Sequence, residues 1–417
     1  MSVTPTVEFD HHSNEFLANR HAEWRRLRQS PVAYNTRYGG FWVVSGHDMV
    51  AQVSRDEETF SSYYAASADG DPVAWQGIAG VPRPRGIPPA GIAEAGGVVH
   101  QALRRVINPF LLPPAVTALK PLMEDLTTWF IDERIETGRM DLVEDLANPV
   151  PAVITMQLIG LPCSSWEYYG ELFHASVAYN PGEPEYDRAM SRVPDIVAEL
   201  LAEAGERRAR PRDDLLTRLV ELEIDGRRLS DEEVSAVLWN LVGGGLDTTT
   251  SLTSLALHHL DMDTDQRAWL AADADRLVIA TEEYLRYFSV NETLTRTVTR
   301  DVALGGQQLK KGDVVLISWL SANHDEAEFE RAGDVVLDRA PNRHLAFGVG
   351  PHRCIGMHLA RTMFQVIVRQ VLRRMPDYRV DRDATRFYSG NPTLTGIVSM
   401  PATFSPGRRE GPADRPF

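Results

Sequence analysis

The sequence predicts a mainly α-helical protein, and three observations carry that expectation. Apolar residues recur at helical spacing over most of the chain. One helix is unusually long, opening at the capping box Ser230-Asp-Glu-Glu233 and continuing to about Leu260, roughly 45 Å at 1.5 Å per residue. Strand-like patterns are confined to short runs. With 417 residues, 43 % hydrophobic and 24 % charged, the chain has the composition of an ordinary globular protein and can bury a large core. No linker divides it, so residues 1–406 read as a single domain, and 407–417 as a polar C-terminal tail expected to be disordered.

In chain order, residues 14–28 form a first helix with Phe16, Leu17, Trp24 and Leu27 on its apolar face. Segments 32–34 and 41–44 make a hairpin that turns near Gly39-Gly40, and 47–54 is a second helix. Residues 65–97 are rich in Gly, Pro and Ala without any period, which predicts a loop long enough to act as a lid or binding loop. The helix at 99–109 carries His100 and Arg104, four apart and so on one face. From 113 to 210 the pattern is helical, broken at Gly138, at Pro149 and Pro151, near Pro162 and between Asn180 and Pro184. That last break separates helices at about 166–179 and 189–208. After the long helix come a helix at 275–287, a strand at 314–319 and a final helix from Ile355 to Met375, which stops before Pro376.

Two stretches carry chemistry. Residues 344–356 read His-Leu-Ala-Phe-Gly-Val-Gly-Pro-His-Arg-Cys-Ile-Gly, a tight irregular loop that delivers Cys354 to a helix N-terminus. The helix dipole and the loop N–H groups there favour a thiolate, which serves as metal ligand or nucleophile. A zinc site wants several Cys and His ligands at fixed spacing, and the only other cysteine is the distant Cys163. A single axial thiolate is what haem iron needs, although most free cysteines are simply small buried hydrophobes. The second stretch is Gly243-Gly-Gly-Leu-Asp-Thr-Thr-Thr250 inside the long helix. Three glycines there cost about 1 kcal/mol each against alanine, so something compensates. They mark a turn between two helices, a close helix–helix approach, or a flat surface for a cofactor. Thr248 is spaced to bond back to the Gly244 carbonyl.

Phe347-Gly348-x-Gly350-x-His352-x-Cys354-x-Gly356 resembles the haem-binding signature of the cytochrome P-450 family, the haem-thiolate monooxygenases. Gly244-Gly245-Leu246-Asp247-Thr248-Thr249 resembles that family's acid–alcohol segment, Glu283-x-x-Arg286 its buried ion pair, and His100-x-x-x-Arg104 its propionate-binding helix, all in the family's order. The usual Asp-Pro-Pro-Glu before that helix is replaced by Glu94-Ala-Gly-Gly-Val-Val. The resemblance implies the cytochrome P-450 fold, with small β-sheets beside a helical domain and haem b (iron protoporphyrin IX) between the long helix and the cysteine-loop helix. Cys354 would be the iron ligand, with Phe347 near the sulfur and Gly356 and Gly244 against the cofactor. His100, Arg104, Arg296 and His352 would face the propionates. Asp247 and Thr248 would be catalytic, delivering the two protons that dioxygen reduction and O–O cleavage consume. Arg339 would complete a structural cluster with Glu283 and Arg286. Pocket contacts would come from Trp75 and Ile78 in the long loop, from Phe173 or Val177 in the roof, and from Asn240 one turn before Gly244. Val290, Asn291 and Glu292, on the strand that runs past the haem, would line the cavity, and Leu394 and Thr395 would reach it from a C-terminal hairpin spanning 393–401.

A net charge of −15 argues against nucleic acid or an anionic membrane as partner. No signal peptide and no apolar run of membrane-spanning length is visible, and two cysteines suit a reducing cytoplasm. These features fit the soluble bacterial members, of the camphor-hydroxylase type. The expected function is insertion of one atom of O2 into a small organic substrate, by hydroxylation or epoxidation. Electrons would come from a separate ferredoxin or flavodoxin with an NAD(P)H-dependent reductase, since no flavin or iron–sulfur module is attached. An acidic ferredoxin would dock on the cysteine side, near Arg104, Arg105 and Arg353. Left open are other oxidations on the same fold (phenol coupling, nitration, desaturation, peroxygenation) and a non-catalytic haem-binding protein. A cysteine hydrolase built on Cys354 and His352 lacks a third member.

Overall fold

The computed structural model describes residues 4–65, 75–83, 91–389, 393–412 and 414–417. Its helices are α1 (Asn14–Leu27), α2 (His47–Arg55), α3 (Gly97–Leu111), α4 (Pro113–Ile135), α5 (Pro149–Ile159), α6 (Trp166–Ala178) and α7 (Pro184–Met190). They continue as α8 (Val193–Ala209), α9 (Leu215–Val220), α10 (Asp231–Met262), α11 (Thr264–Ala271), α12 (Arg276–Phe288), α13 (Trp319–Asn323) and α14 (Met357–Arg374). The fold is thus mainly helical with small sheets. The helix expected at 189–208 proves to be two, because the chain turns at Ser191 and Arg192 before Pro194 in the first turn of α8.

α10 is the axis of the molecule. Its capping box is complete: Ser230 Oγ accepts from Glu233 N at 3.2 Å and the Glu233 carboxylate accepts from Ser230 N at 2.8 Å. The helix runs unbroken through its three glycines and packs against α5, α6, α8 and α14. Beside this bundle lies a six-stranded sheet in which Phe41–Val44 pairs antiparallel with Val32–Asn35 and parallel with Val314–Ser318. Val314–Ser318 in turn pairs antiparallel with Thr293–Val298, setting Arg296 opposite Val315. The expected C-terminal hairpin differs from expectation. Ile397–Ser399 pairs with Arg386–Phe387, whereas Pro401–Thr403 pairs with Arg139–Asp141 and Arg379–Val380.

The tail is a second departure. Residues from Gly407 do not hang free but dock on α4. Asp132 Oδ2 accepts from the backbone N–H groups of Glu410 and Gly411 at 2.9 and 2.8 Å, and Arg373 pairs with Glu410 at 2.6 Å. Phe417 stacks on Phe130. Composition reads these residues as polar, but their backbone donors reach a fully buried carboxylate that needs partners.

The segment leading to Cys354 is tied to α12 by a buried charge cluster. Glu283 and Arg286, both fully buried, make two parallel 2.8 Å bonds. Arg339 adds a bond to Glu283 at 2.9 Å, while Arg286 donates to the carbonyls of Asn323, Ala332 and Asp334. Removing one partner would leave the others buried and unpaired. Glu283→Ala is therefore expected to lower stability by about 3–5 kcal/mol in chemical denaturation. A loss under about 1 kcal/mol would mean the cluster is solvated.

Candidate functional site

The cysteine loop is built by backbone contacts. Gly350 has φ +85°, and a Cβ there would lie 2.5 Å from the Ser54 carbonyl oxygen, so only glycine lets the loop press on the end of α2. Gly348 N–H donates to Leu345 O and Cys354 N–H to Phe347 O, each at 2.8 Å. The loop hands over to α14 at Gly356. Phe347 is itself covered by the Arg361 guanidinium, 4.6 Å above its ring. Cys354 is open on the side of a cavity that it lines. Burial pushes its pKa up, while the Gly356 N–H and Arg104, Arg361 and Arg353 pull it down.

That cavity encloses about 930 Å³ between its lining side chains, its open end included. Gly244 and Gly245 of α10 form one wall, and Cys354 with Gly356 another. The three helix glycines divide their duties. A Cβ on Gly243 would meet Phe173 of α6 at 2.8 Å, and one on Gly245 would meet Thr155 of α5 at 2.5 Å, so both permit close helix packing. A Cβ on Gly244 would meet nothing within 4 Å, so this glycine leaves open space where α10 faces the cavity. Thr248 Oγ1 donates to Gly244 O at 3.0 Å, half-buried beside that gap.

Four nitrogen side chains gather at one end. His100, Arg104, Arg296 and His352 all line the cavity. His100 stacks on His352 with ring centroids 4.0 Å apart, and Arg104 donates to Arg353 O at 2.9 Å. His352 Nε2 lies 2.9 Å from Ser62 Oγ and 3.2 Å from a Glu57 oxygen. Burial, then the neighbouring cations, pushes His352 down to about 3 and His100 down to about 4. Arg296 is 4 % exposed, and its one hydrogen bond among the described residues is to Thr295 O. Burial takes its pKa down to about 10 against the weak pull of Glu57. With both histidines held neutral near pH 7, the positive charge of this recess rests on Arg104 and Arg296, and Glu57 beside His352 is the carboxylate that faces it.

The family model for cytochrome P450, here written cytochrome P-450, matches residues 16–376. The chain belongs to the cytochrome P-450 family. It is 30 % identical over 412 residues to cytochrome P-450 123 of Mycobacterium tuberculosis, covering 95 % of this chain and 97 % of that one. It is also 30 % identical over 383 residues to the methyl-branched lipid omega-hydroxylase of the same organism, covering 88 % and 84 %. Among solved structures it is similar to Mycobacterium marinum cytochrome P-450 CYP268A2 in complex with pseudoionone, with a TM-score of 0.86, 29 % identity and coverage of 97 % and 100 %.

Cytochrome P-450 proteins carry haem, and the residues present fit it. A flat cofactor with one axial thiolate and two carboxylates needs a sulfur at one wall, backbone without side chains at the other, and unpaired cations at its edge. Cys354, Gly244 and the buried Arg296 supply these in turn. No single described helix is long and apolar enough to cross a membrane.

The expected pocket residues separate into two groups. Ile78 and Asn240 line the cavity, and Asn240 Oδ1 accepts from Ala93 N–H at 3.3 Å. The backbone of Trp75 pairs with Ala65, while its side chain lies outside the described residues. Phe173 is core: it packs on Trp239 at 4.7 Å and under Gly243. Val177, further along α6, is also absent from the described lining. Val290, Asn291, Leu394 and Thr395 bind one another instead of lining the cavity, through an Asn291–Leu394 bridge and a 3.0 Å bond from Thr395 N to Val290 O. Glu292 turns away to a buried ion pair with Arg20 of α1. The reason is register: the strand begins only at Thr293, and its alternation sends Leu294 and Arg296 to the cavity. Asp247 does not reach the described lining either.

Some neighbours had no signal in the sequence. Glu94 is buried, accepts from Ile78 N at 2.8 Å and pairs with Arg83, which ties the strap 77–83 across the cavity. Glu57 and Ser62 beside His352 lie about 290 residues away in the chain and belong to no local pattern.

Gly244→Leu is expected to fold, by far-UV circular dichroism, and to take up markedly less haem per chain in a pyridine haemochromogen assay. Gly245→Leu is expected to lose folded protein outright, because Thr155 occupies the space. Normal haem content in Gly244→Leu would put the cofactor elsewhere.

Proposed function

We propose that this cytochrome P-450 holds haem b on Cys354 and hydroxylates or epoxidises a mainly apolar small molecule, with electrons from a ferredoxin and its NAD(P)H-dependent reductase. The observation that carries the reading is that the thiol of Cys354 and the open face of Gly244 line one cavity with a cation-rich end. Haem iron supplies dioxygen activation there, and an electron-rich thiolate favours O–O cleavage. The chain's own residues do the rest. Arg296 and Arg104 bind and neutralise the propionates, His100 and His352 add hydrogen-bond donors to them, and Thr248 holds a hydroxyl beside the Gly244 gap. Asp247, one residue before it, is the acid of the pair. The presence of both supports dioxygen-driven turnover over peroxide use.

The substrate side is apolar, formed by Ile78, Ile92, Leu241 and Leu294. Asn240 is its polar exception: with its oxygen held by Ala93 N–H, its NH2 is left to donate to a substrate carbonyl or hydroxyl. The names of its relatives, a methyl-branched lipid hydroxylase and a protein solved with pseudoionone, point to branched lipids or terpenoids with one oxygen function. We place the protein in the cytoplasm, since both its cysteines are free.

Docking of the electron donor falls to Arg105 and Arg353, which are exposed, Arg353 at the cavity's edge, because Arg104 is half-buried in the cavity wall. Arg105→Glu is expected to slow ferredoxin-driven reduction about tenfold at low ionic strength, with a smaller difference at high salt. Stopped-flow reduction checks this. For the haem-thiolate reading the decisive measurement is the ferrous carbonyl spectrum. The wild type is expected to show the red-shifted Soret band of thiolate ligation and Cys354→Ser to lose it. Retention of that band in Cys354→Ser would overturn the reading.

A further inference from the structure

The acid of α10 is gripped from two other elements. Asp247 is 3 % exposed. His174 Nδ1, from α6, lies 2.7 Å from Oδ1. Tyr388 Oη, just beyond the strand Arg386–Phe387, lies 2.8 and 2.7 Å from Oδ1 and Oδ2. Ser251 Oγ, one turn along α10, donates to Oδ2 at 3.4 Å and contacts Tyr388 Oη at 3.0 Å.

The His174 ring is bracketed by acceptors. Nδ1 faces the Asp247 carboxylate and Nε2 faces the Val398 carbonyl at 3.3 Å. While Asp247 is ionised neither oxygen donates, so beside the carboxylate it is the imidazolium, a donor at both nitrogens, that satisfies both contacts. With the Nδ1 proton moved onto Asp247, the neutral ring accepts there and still donates to Val398 O, so both contacts survive the transfer. The side chain of His174 is 11 % exposed and that of Asp247 4 %, so the ring is the member of this pair nearer water.

The charged groups around the ring agree. Burial works against the cation, but the hydrogen bond and charge of Asp247, the Val398 carbonyl and Glu144 from the turn Val143–Ala147 outweigh it, and the pKa of His174 rises above its ordinary value. Arg386 faces Glu144. Tyr388 is held far above its ordinary pKa by burial and by Asp247, so it stays a neutral O–H donor.

We propose that His174 is the proton donor that recharges Asp247, and that Tyr388 is a positioning residue that fixes the carboxylate between ring and helix. The proposal rests on the monooxygenase reading and names where its protons enter. In the step, the N–H bond at Nδ1 of the imidazolium breaks and an O–H bond forms on Asp247. Asp247 gives that proton up toward Thr248, and the neutral ring regains one from water. No electrons change hands. The pH dependence has a fixed sign. A histidine with a raised folded pKa is charged below that value and loses its proton as pH rises through it. Proton supply therefore fails on the alkaline side.

The test uses the holoprotein with a plant-type ferredoxin and its NADPH-dependent reductase, following dioxygen consumption from pH 6 to 10. The wild type is expected to show an alkaline limb falling tenfold per pH unit. His174→Gln is expected to lose that limb and to run at least about tenfold slower at pH 7. Tyr388→Phe is expected to move the limb upward, because a carboxylate freed from the tyrosine hydroxyl holds the imidazolium more tightly. Nitrogen-15 NMR of His174 in the ferrous carbonyl holoprotein is expected to titrate above 6.5, higher in Tyr388→Phe and lower in Asp247→Asn. An unchanged limb in His174→Gln, or a limb and resonance that ignore Tyr388→Phe, overturns the proposal. Each sample's carbonyl Soret band is recorded as well, so a failure of thiolate ligation is told apart from a failure of the relay.

Discussion

A sulfur that must meet a cofactor inside a protein has to be held by backbone, because side chains brought in to hold it would fill the space the cofactor needs. The rest of this molecule answers to that constraint. The loop before Cys354 is fixed by its own N–H groups and by a glycine pressed against α2. Its approach is anchored from behind by Glu283, Arg286 and Arg339, whose charges lie in the protein interior, away from the cavity lining. The rigidity is supplied at a distance and the site itself stays thin.

The opposite wall shows the same economy in helical form. Consecutive glycines in α10 look like a weakness, yet each points 100° from the last and so faces a different neighbour. Gly243 and Gly245 draw in α6 and α5, and that packing offsets the intrinsic penalty of glycine in a helix. Gly244 between them is left facing the cavity. The close approach of α5 and α6 and the open face are thus one feature of the sequence. The unbroken helix excludes a turn at this point.

What was legible in the sequence was local. The capping box, the cysteine loop, the pair four apart on α3 and the Glu283–Arg286 spacing are each contained in a short stretch of consecutive residues, and periodicity located the helices it named, the 189–208 segment aside, to within two or three residues. What escaped was everything decided by strand register or by partners far along the chain. Glu292 and Leu294 are two residues apart, and only the start of the strand at Thr293 decides that Leu294 alone faces the cavity. The tail escaped because its polarity hides donors matched to one buried acid, Asp132. The departure before α3 has a physical reading as well: Glu94 holds the strap through Ile78 N–H and Arg83.

Charge is distributed against the chain's overall balance. A protein with a net charge of −15 concentrates four cationic or potentially cationic side chains at one end of one cavity, and burial weakens each as an acid-bound cation until an anion arrives. With Glu57 the carboxylate described beside it, that recess keeps cationic capacity for a ligand that brings its own. On α10 itself, off the described cavity lining, the sign reverses: Asp247 is buried with a histidine and a tyrosine for partners, and among the described residues no arginine or lysine is hydrogen-bonded to it. A guanidinium at that position would itself stay charged through the neutral and alkaline range. An imidazole is charged only while protonated, so the ion pair on α10 is coupled to the proton concentration outside. The recess and the acid on α10 therefore use charge differently. One offers guanidinium groups that stay charged to an anionic ligand, and the other pairs its acid with a cation that loses its proton as pH rises.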